Sequence, residues 1–340
     1  MAEALDLTPL EPANDDNRSE TASESDSTGS SLASLRSSIR EHRRENGRRY
    51  HSLSDGTYVL PNDEQEQERL ELSHRVWELT WQGDLCRCPK NKSAERVLDL
   101  GTGTGIWAIE FADDHPEATV IGVDLSPIQP GYVPANCSFE IDDIEKEWTW
   151  TIPFDFIFVR QMNSCFASWE KMLKQAYDNL EPGGYIELVD NSFPLDCQDG
   201  TLAPDSALTR WSSLLMEACA KMGRPVTVPA RFAQLLRDAG FEAVVEERRV
   251  WPLHEWPRDP HLRELGYWVY YNGLESVEAS ALALFTRVLG WTREEVLVFC
   301  AEVRRELKEK KAHAFWNIYC AYGRKPLKEQ TPAEEQTPAA

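Results

Sequence analysis

The segment Asp99-Leu100-Gly101-Thr102-Gly103-Thr104-Gly105 combines one carboxylate with three closely spaced glycines. Glycine has no Cβ, so it adopts backbone conformations closed to other residues and lets the main chain approach a ligand. The apolar run 96–100 precedes this segment, and a helical pattern over 105–114 follows it. A glycine-rich turn between a strand and a helix is typical of nucleotide-type ligand binding. The segment therefore predicts a cofactor site.

Two positions in this segment indicate which cofactor it suits. A dinucleotide fingerprint counted from Gly101 requires Gly or Ala at its sixth position, where this chain has Ile106. Asp99 lies two residues before the first glycine, and its carboxylate suits a cationic ligand better than a pyrophosphate, whether it binds an amino group or orders the loop. Both positions favour S-adenosylmethionine and disfavour an NAD-type oxidoreductase.

Further carboxylates follow the next two predicted strands. Asp124 ends the second strand, where its two oxygens can accept hydrogen bonds from both ribose hydroxyls of a cofactor. Asp142 and Asp143 follow the third strand, where one of them can accept from an adenine amino group. Ligands of open α/β sheets bind outside the carboxyl ends of the strands, which is where these acids fall. The alternatives are a helix cap or a surface acid for Asp124 and a surface position for one or both of the later acids.

The elements that position these residues alternate along the chain. Pro182-Gly183-Gly184 predicts a turn before the fifth strand. The alternation predicts an α/β fold with a doubly wound, mostly parallel, seven-stranded Rossmann-like sheet. The predicted strands cover 96–100, 119–123, 137–141, 154–159, 185–189, 242–250 and 314–322, and the predicted helices cover 63–81, 105–114, 168–179 and 229–239.

Two insertions and two tails complete the predicted organisation. Residues 191–228 and 252–312 interrupt the pattern and are candidates for a helical cap over the substrate. Residues 1–55 are rich in acids and serine and are predicted to be disordered, and 327–340 form a second tail; the folded domain covers 56–326. The first tail carries an arginine cluster that is either a weak nuclear-import or docking element or only a solvated segment, and it consists of Arg36, Arg40, Arg43, Arg44, Arg48 and Arg49.

The composition excludes several classes of protein. The net charge of −21 disfavours binding of a polyanion such as DNA over the whole surface, although an acidic cleft suits a cationic cofactor. No apolar run approaches a membrane span, and Met1–Leu10 lacks the apolar core of a secretion signal, so we expect an intracellular protein, cytoplasmic or nuclear. The eight cysteines are expected to be reduced thiols. Cys86 and Cys88 form the only close pair, and because no second pair exists we expect no metal site.

Longer stretches of the sequence resemble a known family. VLDLGTGTGIWAIEFADDHP, GVDLSPIQP, FDFIFVR and LEPGGYIELVD, together with the ending HAFW…YGRKP, are similar to the fungal LaeA-like methyltransferases, also called velvet-complex or TAM-domain methyltransferases. The resemblance covers roughly residues 58–326. The glycine loop is common to all class I methyltransferases, whereas GIWAIE, SPIQP and the ending are more specific. The loop carries Thr102 where the family often has Cys, which is a small change.

The resemblance implies a class I methyltransferase fold that binds S-adenosylmethionine. It places Arg160-Gln161-Met162-Asn163 facing the methyl group. It also implies either a tailoring enzyme of secondary metabolism or a regulator that acts through protein partners, with a velvet-type protein as a possible partner. The residues expected to bind the cofactor are Asp99, Gly101, Thr102, Gly103, Gly105, Asp124, Leu125, Asp142, Asp143 and Arg160.

The sequence does not identify a catalytic base. A base is needed only if the methyl acceptor carries a proton that must leave. The candidates by residue type have no distinctive spacing, and the aromatic cluster 266–271 either stacks on a flat apolar acceptor or packs in the core. These candidates are His74, His254, His261, His313, Tyr58, Tyr267, Tyr270 and Tyr271. Our leading interpretation is an enzyme that methylates a small molecule, and the alternative is a regulator with a protein substrate or none.

Overall fold

The computed structural model describes residues 42–51, 53 and 58–328. Seven strands of this part of the chain form one sheet, and two form a separate hairpin. The strands are β1 (His42–Glu45), β2 (Arg48–His51), β3 (Arg96–Leu100), β4 (Thr119–Asp124), β5 (Cys137–Ile141), β6 (Phe154–Arg160), β7 (Leu180–Asp196), β8 (Glu242–Pro252) and β9 (Phe315–Arg324).

The large sheet has the order β5-β4-β3-β6-β7-β9-β8. Neighbouring strands from β5 to β7 are parallel, whereas β9 runs antiparallel to both β7 and β8. Strands β3 and β6 are buried on both faces because helices cover each side, which explains their nearly continuous apolar sequences. The predicted seven-stranded, mostly parallel sheet is confirmed.

Seven α-helices in the described part of the chain surround this sheet. Most begin at a Ser, Thr or Asp whose side chain accepts a hydrogen bond from a backbone amide of the first turn, as at Asp63, Ser168 and Thr292. The helices are α1 (Glu64–Trp81), α2 (Ile106–Asp114), α3 (Trp169–Asn179), α4 (Ala207–Lys221), α5 (Phe232–Asp238), α6 (Pro260–Arg287) and α7 (Arg293–Glu309). No helix in these ranges is long and apolar enough to cross a membrane.

The two predicted insertions contain the helices α4, α6 and α7, which pack on one another. Helix α6 also packs on α1, so the insertions form a cap beside the sheet. The first insertion begins later than predicted because β7 continues through 191–196, where it still pairs with β9. The predicted helix over 229–239 is a short 3₁₀ turn, Val228–Arg231, followed by α5.

The prediction of disorder is wrong for residues 42–51, which form the hairpin β1–β2. Asn46 and Gly47 connect its strands with positive φ angles of 51° and 85°, which is the backbone that an Asn-Gly hairpin turn adopts. The hairpin is held by Glu45, 2.7 Å from Arg287 of α6, and by Arg48, 2.6 Å from the Asp63 carboxylate. The remaining tail, including Arg36 and Arg40, lies outside the described residues, as does 329–340.

The predicted turn at Pro182–Gly184 is also wrong, because these residues lie within β7. The strand bulges there, between its pairings with Phe154 and Phe156 of β6. Gly183, with φ of 87°, donates its N–H to the Lys325 carbonyl, and the Lys325 N–H donates to Gly184. A glycine in this conformation bends the strand without ending it.

Candidate functional site

A cavity of about 120 Å³ opens at the carboxyl ends of β3, β4, β5 and β6. We call it the loop cavity, because the glycine loop forms one side of it. It contains nine of the ten residues expected to bind a cofactor. It is lined by Tyr58, Leu70, Asp99, Gly101, Thr102, Gly103, Thr104, Ile106, Val123, Asp124, Leu125, Asp142, Asp143, Ile144, Glu145, Arg160, Gln161, Met162 and Cys165.

The glycine loop owes its shape to positive φ angles at its three glycines, 71°, 59° and 81° in chain order. At Gly101 an added Cβ would lie 2.1 Å from the Met162 sulfur, so a larger residue would displace the Met162 side chain and would also strain the backbone at this positive φ. Gly105 departs from expectation, since it is the one predicted residue that does not line the cavity. Its Cβ would lie 2.3 Å from the Phe139 ring, so its role is close packing at the start of α2.

Asp99 is buried at the floor of the loop cavity, with 3% of its surface exposed. The Thr102 hydroxyl donates to its carboxylate over 2.6 Å. Burial raises the pKa of Asp99 to about 6, although the Thr102 hydrogen bond and the charge of Arg160 oppose the rise. A cation bound here would offset the cost of burying this carboxylate.

Asp124 lies at the end of β4 with each carboxylate oxygen bonded to one backbone amide. Oδ2 accepts from the Gly103 N–H and Oδ1 from the Ser126 N–H, both over 2.9 Å. Burial raises its pKa. Each ionised oxygen keeps a further acceptor site, so the side chain orders the loop and can still bind a pair of hydroxyls.

Asp142 and Asp143 both line the same cavity from the end of β5. Asp142 is exposed, whereas Asp143 is partly buried and lies 3.6 Å from Lys146. Trp107 does not reach the cavity. It is buried in the core, where it stacks on Phe158 with ring centroids 4.0 Å apart.

Arg160 ends a partly buried chain of polar groups beside the loop cavity. Its Nη2 donates to His74 Nδ1 over 3.1 Å, and His74 Nε2 lies 2.8 Å from Glu110. Burial lowers the pKa of Arg160 to about 10. Because both ring nitrogens of His74 are engaged, this histidine is not available to a substrate.

A second cavity, of about 210 Å³, lies between the sheet and the helical cap. We call it the cap cavity. Its lining is mostly aliphatic and aromatic, with tryptophans from α4, β8 and β9. Three residues line both cavities, namely Tyr58, Leu70 and Gln161. The full lining is Tyr58, Val59, Leu60, Arg69, Leu70, Gln161, Asn163, Ser164, Asp190, Asn191, Phe193, Leu195, Leu208, Trp211, Leu215, Cys219, Val226, Trp251, Leu253, Val269, Asn272, Gly273, Ser276, Val277, Ala279, Ser280, Leu284, Leu307 and Trp316.

The cap cavity contains one acidic side chain, Asp190, which the sequence analysis missed. It is 1% exposed, and burial raises its pKa to about 7. Its oxygens accept from the Asn163 N–H over 2.7 Å and from the Asn191 N–H over 2.8 Å. The available signal was its place after the buried run of β7, the same signal that identified Asp124 after β4.

The segment after β6 separates the two cavities and is held in an unusual conformation. Gln161 and Ser164 have φ angles of 57° and 62°, which non-glycine residues rarely adopt. Gln161 donates its N–H to the Val189 carbonyl over 3.0 Å, and its side-chain oxygen accepts from the Ser73 hydroxyl over 3.0 Å. Strained backbone of this kind is common where a site must be positioned.

Most of the catalytic candidates from the sequence lie elsewhere. No histidine lines either cavity within the described residues. Tyr267 and Tyr271 are 41% and 44% exposed, and Tyr270 also lies outside the cap cavity, so these three rings do not line the space in which stacking on an acceptor was one of the two alternatives. Tyr58 does line both cavities, but burial raises its pKa well above its usual range, so its hydroxyl stays protonated.

Comparison with known proteins supports a common ancestry over most of the chain. A family model described as a methyltransferase domain matches residues 67–247. Methyltransferase pytC of Aspergillus terreus is 40% identical over 283 residues, which cover 83% of this chain and 87% of that protein.

Two further relatives are named as a regulator and as a protein methyltransferase. Secondary metabolism regulator laeA of Aspergillus fumigatus is 37% identical over 286 residues, 83% of this chain and 76% of that protein. Protein-methionine methyltransferase laeA of Emericella nidulans is 36% identical over 287 residues, 84% of this chain and 76% of that protein.

Proposed function

This chain belongs to the methyltransferase family and uses S-adenosylmethionine as its methyl donor, and from that premise we propose that it methylates a small, largely apolar molecule bound in the cap cavity. The observation that carries the proposal is the sharing of Tyr58, Leu70 and Gln161 by both cavities. A donor in one cavity and an acceptor in the other would meet at these residues.

The loop cavity fits this donor. The buried Asp99 carboxylate suits the donor's cationic amino acid part, and the glycine backbone leaves room for close approach. We assign Asp124 to the ribose hydroxyls and Asp142 or Asp143 to the adenine amino group. Leu125 would contact the nucleoside, and Arg160 would balance the charge of Asp99.

The bound donor supplies a methyl group that is already activated on a sulfonium sulfur. The chain has to position the acceptor, exclude water and receive a proton. The apolar lining of the cap cavity performs the first two tasks. Asp190 is the one carboxylate among the described residues that line that cavity, and we assign it the task of receiving the proton. It takes the proton of an acceptor O–H or N–H as the new bond to the methyl carbon forms and the bond between that carbon and the donor's sulfur breaks.

The relative named as a regulator and the relative named as a protein-methionine methyltransferase support a second candidate, methylation of a protein or regulation through a protein partner. The largely apolar lining of the cap cavity, to which three helices contribute, favours an apolar small molecule over a residue of a folded protein. A velvet-type partner has no support in the described surface.

The experiment uses purified full-length chain and S-adenosylmethionine with a labelled methyl group. The chain is incubated with a fungal extract that is separated into an organic-soluble small-molecule fraction and a protein fraction. We expect label in the small-molecule fraction. Label confined to the protein fraction, or to the chain itself, would overturn the proposal in favour of the second candidate.

A matched pair of variants locates the acceptor. Gly273 lies in α6 against the cap cavity, and a Cβ added there meets nothing within 4 Å. Gly273→Trp should fill the cavity and abolish small-molecule labelling while calorimetric binding of S-adenosylmethionine persists. Val298→Trp, at a site on α7 that is 64% exposed, should leave both unchanged.

A further inference from the structure

Three buried side chains that belong to neither cavity bring metal-binding atoms together. The sulfurs of Cys86 and Cys88 and a carboxylate oxygen of Glu187 all lie within 4.8 Å of one another. Their exposures are 2%, 2% and 0%. Another cysteine, Cys320, is also fully buried.

The fold assembles this cluster from three distant parts of the chain. Cys86 and Cys88 lie between α1 and β3, whereas Glu187 and Cys320 lie on the paired strands β7 and β9. Because Cys320 is two residues from Tyr322, the direct partner of Glu187, both side chains lie on the same face of the sheet.

Backbone amides fix the orientation of Glu187. The Cys88 N–H donates to its Oε2 over 2.7 Å, and the Arg87 N–H donates to Oε2 over 2.8 Å and to Oε1 over 3.0 Å. Hydrogen bonds of this kind hold a ligating carboxylate in place, and Oε1, which accepts only one of them, keeps an acceptor site for a metal.

The cluster lacks a compensating cation among the described residues. Arg87 pairs with Asp84 and Glu247, and no lysine or arginine forms an ion pair with Glu187. Burial of these three groups away from water disfavours their charged forms. A divalent cation would reverse this cost, because it stabilises thiolates and a carboxylate together.

We propose that Cys86, Cys88 and Glu187 provide three ligands to one Zn²⁺ ion. Thiolates with one carboxylate are ligands that select zinc over magnesium or calcium. On binding, each cysteine that ligates the metal releases its proton to solvent. The ion would tie the segment before β3, and with it the base of the glycine loop, to strand β7.

The first test measures metal in the full-length chain, purified without chelators, by mass spectrometry. We expect one zinc per chain. The chain is then stripped and titrated with Co²⁺, which gives an intense near-ultraviolet band only when thiolates bind it. A wild-type chain that takes up no zinc and gives no cobalt–thiolate band would overturn the proposal.

The second test uses variants with a matched control. Cys86→Ser combined with Cys88→Ser should weaken Zn²⁺ binding by at least about 100-fold, the upper end of what loss of a merely orienting residue causes. Glu187→Gln should weaken it while keeping the thiolate band, which provides a second readout if the double variant fails to fold. Cys300→Ser, at a buried cysteine of α7 outside the cluster, should keep the metal; equal loss in this control would contradict the assignment.

Discussion

The loop cavity and the cap cavity lie side by side but are built on different principles. The loop cavity is lined mainly by consecutive residues at strand ends, with carboxylates at Asp99 and Asp124 and glycine backbone between them. The cap cavity is larger, about 210 Å³ against about 120 Å³, and its lining comes from helices and strands far apart in sequence. The first is suited to a ligand recognised by charge and hydrogen bonds, and the second to one recognised by shape and apolar contact.

This difference has a consequence for substitutions. A lost carboxylate in the loop cavity removes charged hydrogen bonds that no neighbour replaces, so the effect is large and specific to the cofactor. A changed side chain in the cap cavity alters volume and shape, so its effect depends on the acceptor. The exception is Asp190, the one position in the cap cavity where we expect a chemical rather than a steric effect.

The largest effect on activity is expected from a substitution of Asp190. Asp190→Asn should lower kcat by about 100- to 1000-fold, because a positioned general base contributes this much. The carboxylate is the active form, so wild-type kcat should rise with pH through about 7 and the variant should show no such rise. The measurement is a pH–rate profile with the acceptor found in the labelled fraction.

Binding of S-adenosylmethionine provides the control for Asp190→Asn. An unchanged affinity separates a role in proton transfer from a role in folding. A variant that keeps the wild-type pH profile would show that Asp190 only orders the neighbouring Asn163 and Asn191 amides.

The next largest effect concerns the loop cavity. Asp124→Ala should weaken S-adenosylmethionine binding by about 10- to 100-fold, because charged hydrogen bonds contribute roughly 1.5–3 kcal/mol. The substitution also frees the amides of Gly103 and Ser126. Calorimetry measures the affinity. Asp142→Ala, at an exposed carboxylate, should cost less, and equal losses would contradict the assigned roles.

A third prediction concerns stability rather than binding. Gly105→Ala should lower the free energy of unfolding by roughly 2–4 kcal/mol, because it adds a clash with Phe139 to the cost of a positive φ. Gly200→Ala has a similar φ of 76° but no atom within 4 Å of its Cβ, so about 1–2 kcal/mol is expected. Chemical denaturation measures both, and equal losses would show that Phe139 moves aside.

The smallest effect is expected in the cap. Gly273→Ala should raise the free energy of unfolding by about 0.5–1 kcal/mol, because alanine favours a helix and its Cβ enters open space. Thermal unfolding without ligands measures the gain, and S-adenosylmethionine affinity should not change. Destabilisation would show that the cap cavity is narrower at this point than the structure indicates.

The loop cavity was largely predictable from sequence because its residues are local to strand ends. Apolar runs mark where β3 and β4 end, and a carboxylate or glycine that follows such a run falls at the same edge of the sheet. Gly105 shows the limit of this reasoning. It belongs to the motif, yet its backbone is required by Phe139, which is 34 positions later in the chain and carries no signal in the motif.

The cap cavity could not be predicted in the same way. Its lining depends on which faces of α4 and α6 meet, and the apolar residues that line a cavity resemble those that fill a core. Residue type alone also does not show whether a side chain reaches a cavity. Tyr267 has the chemistry of a site residue but lies outside both cavities. The hairpin at 42–51 was signalled by Asn46-Gly47, but the surrounding charges obscured it.

The regular pairing of β7 with β9 between Glu187 and Asp190 limits where residues can be inserted into or deleted from this chain. Glu187 and Asp190 lie three residues apart, so they point to opposite faces, one towards the cysteines and the other into the cap cavity. Inserting or deleting one residue between them would turn one of the two functions to the wrong side of the sheet. We therefore expect related chains to keep this interval fixed, and to vary in length instead in the exposed loop 197–206 that follows the strand.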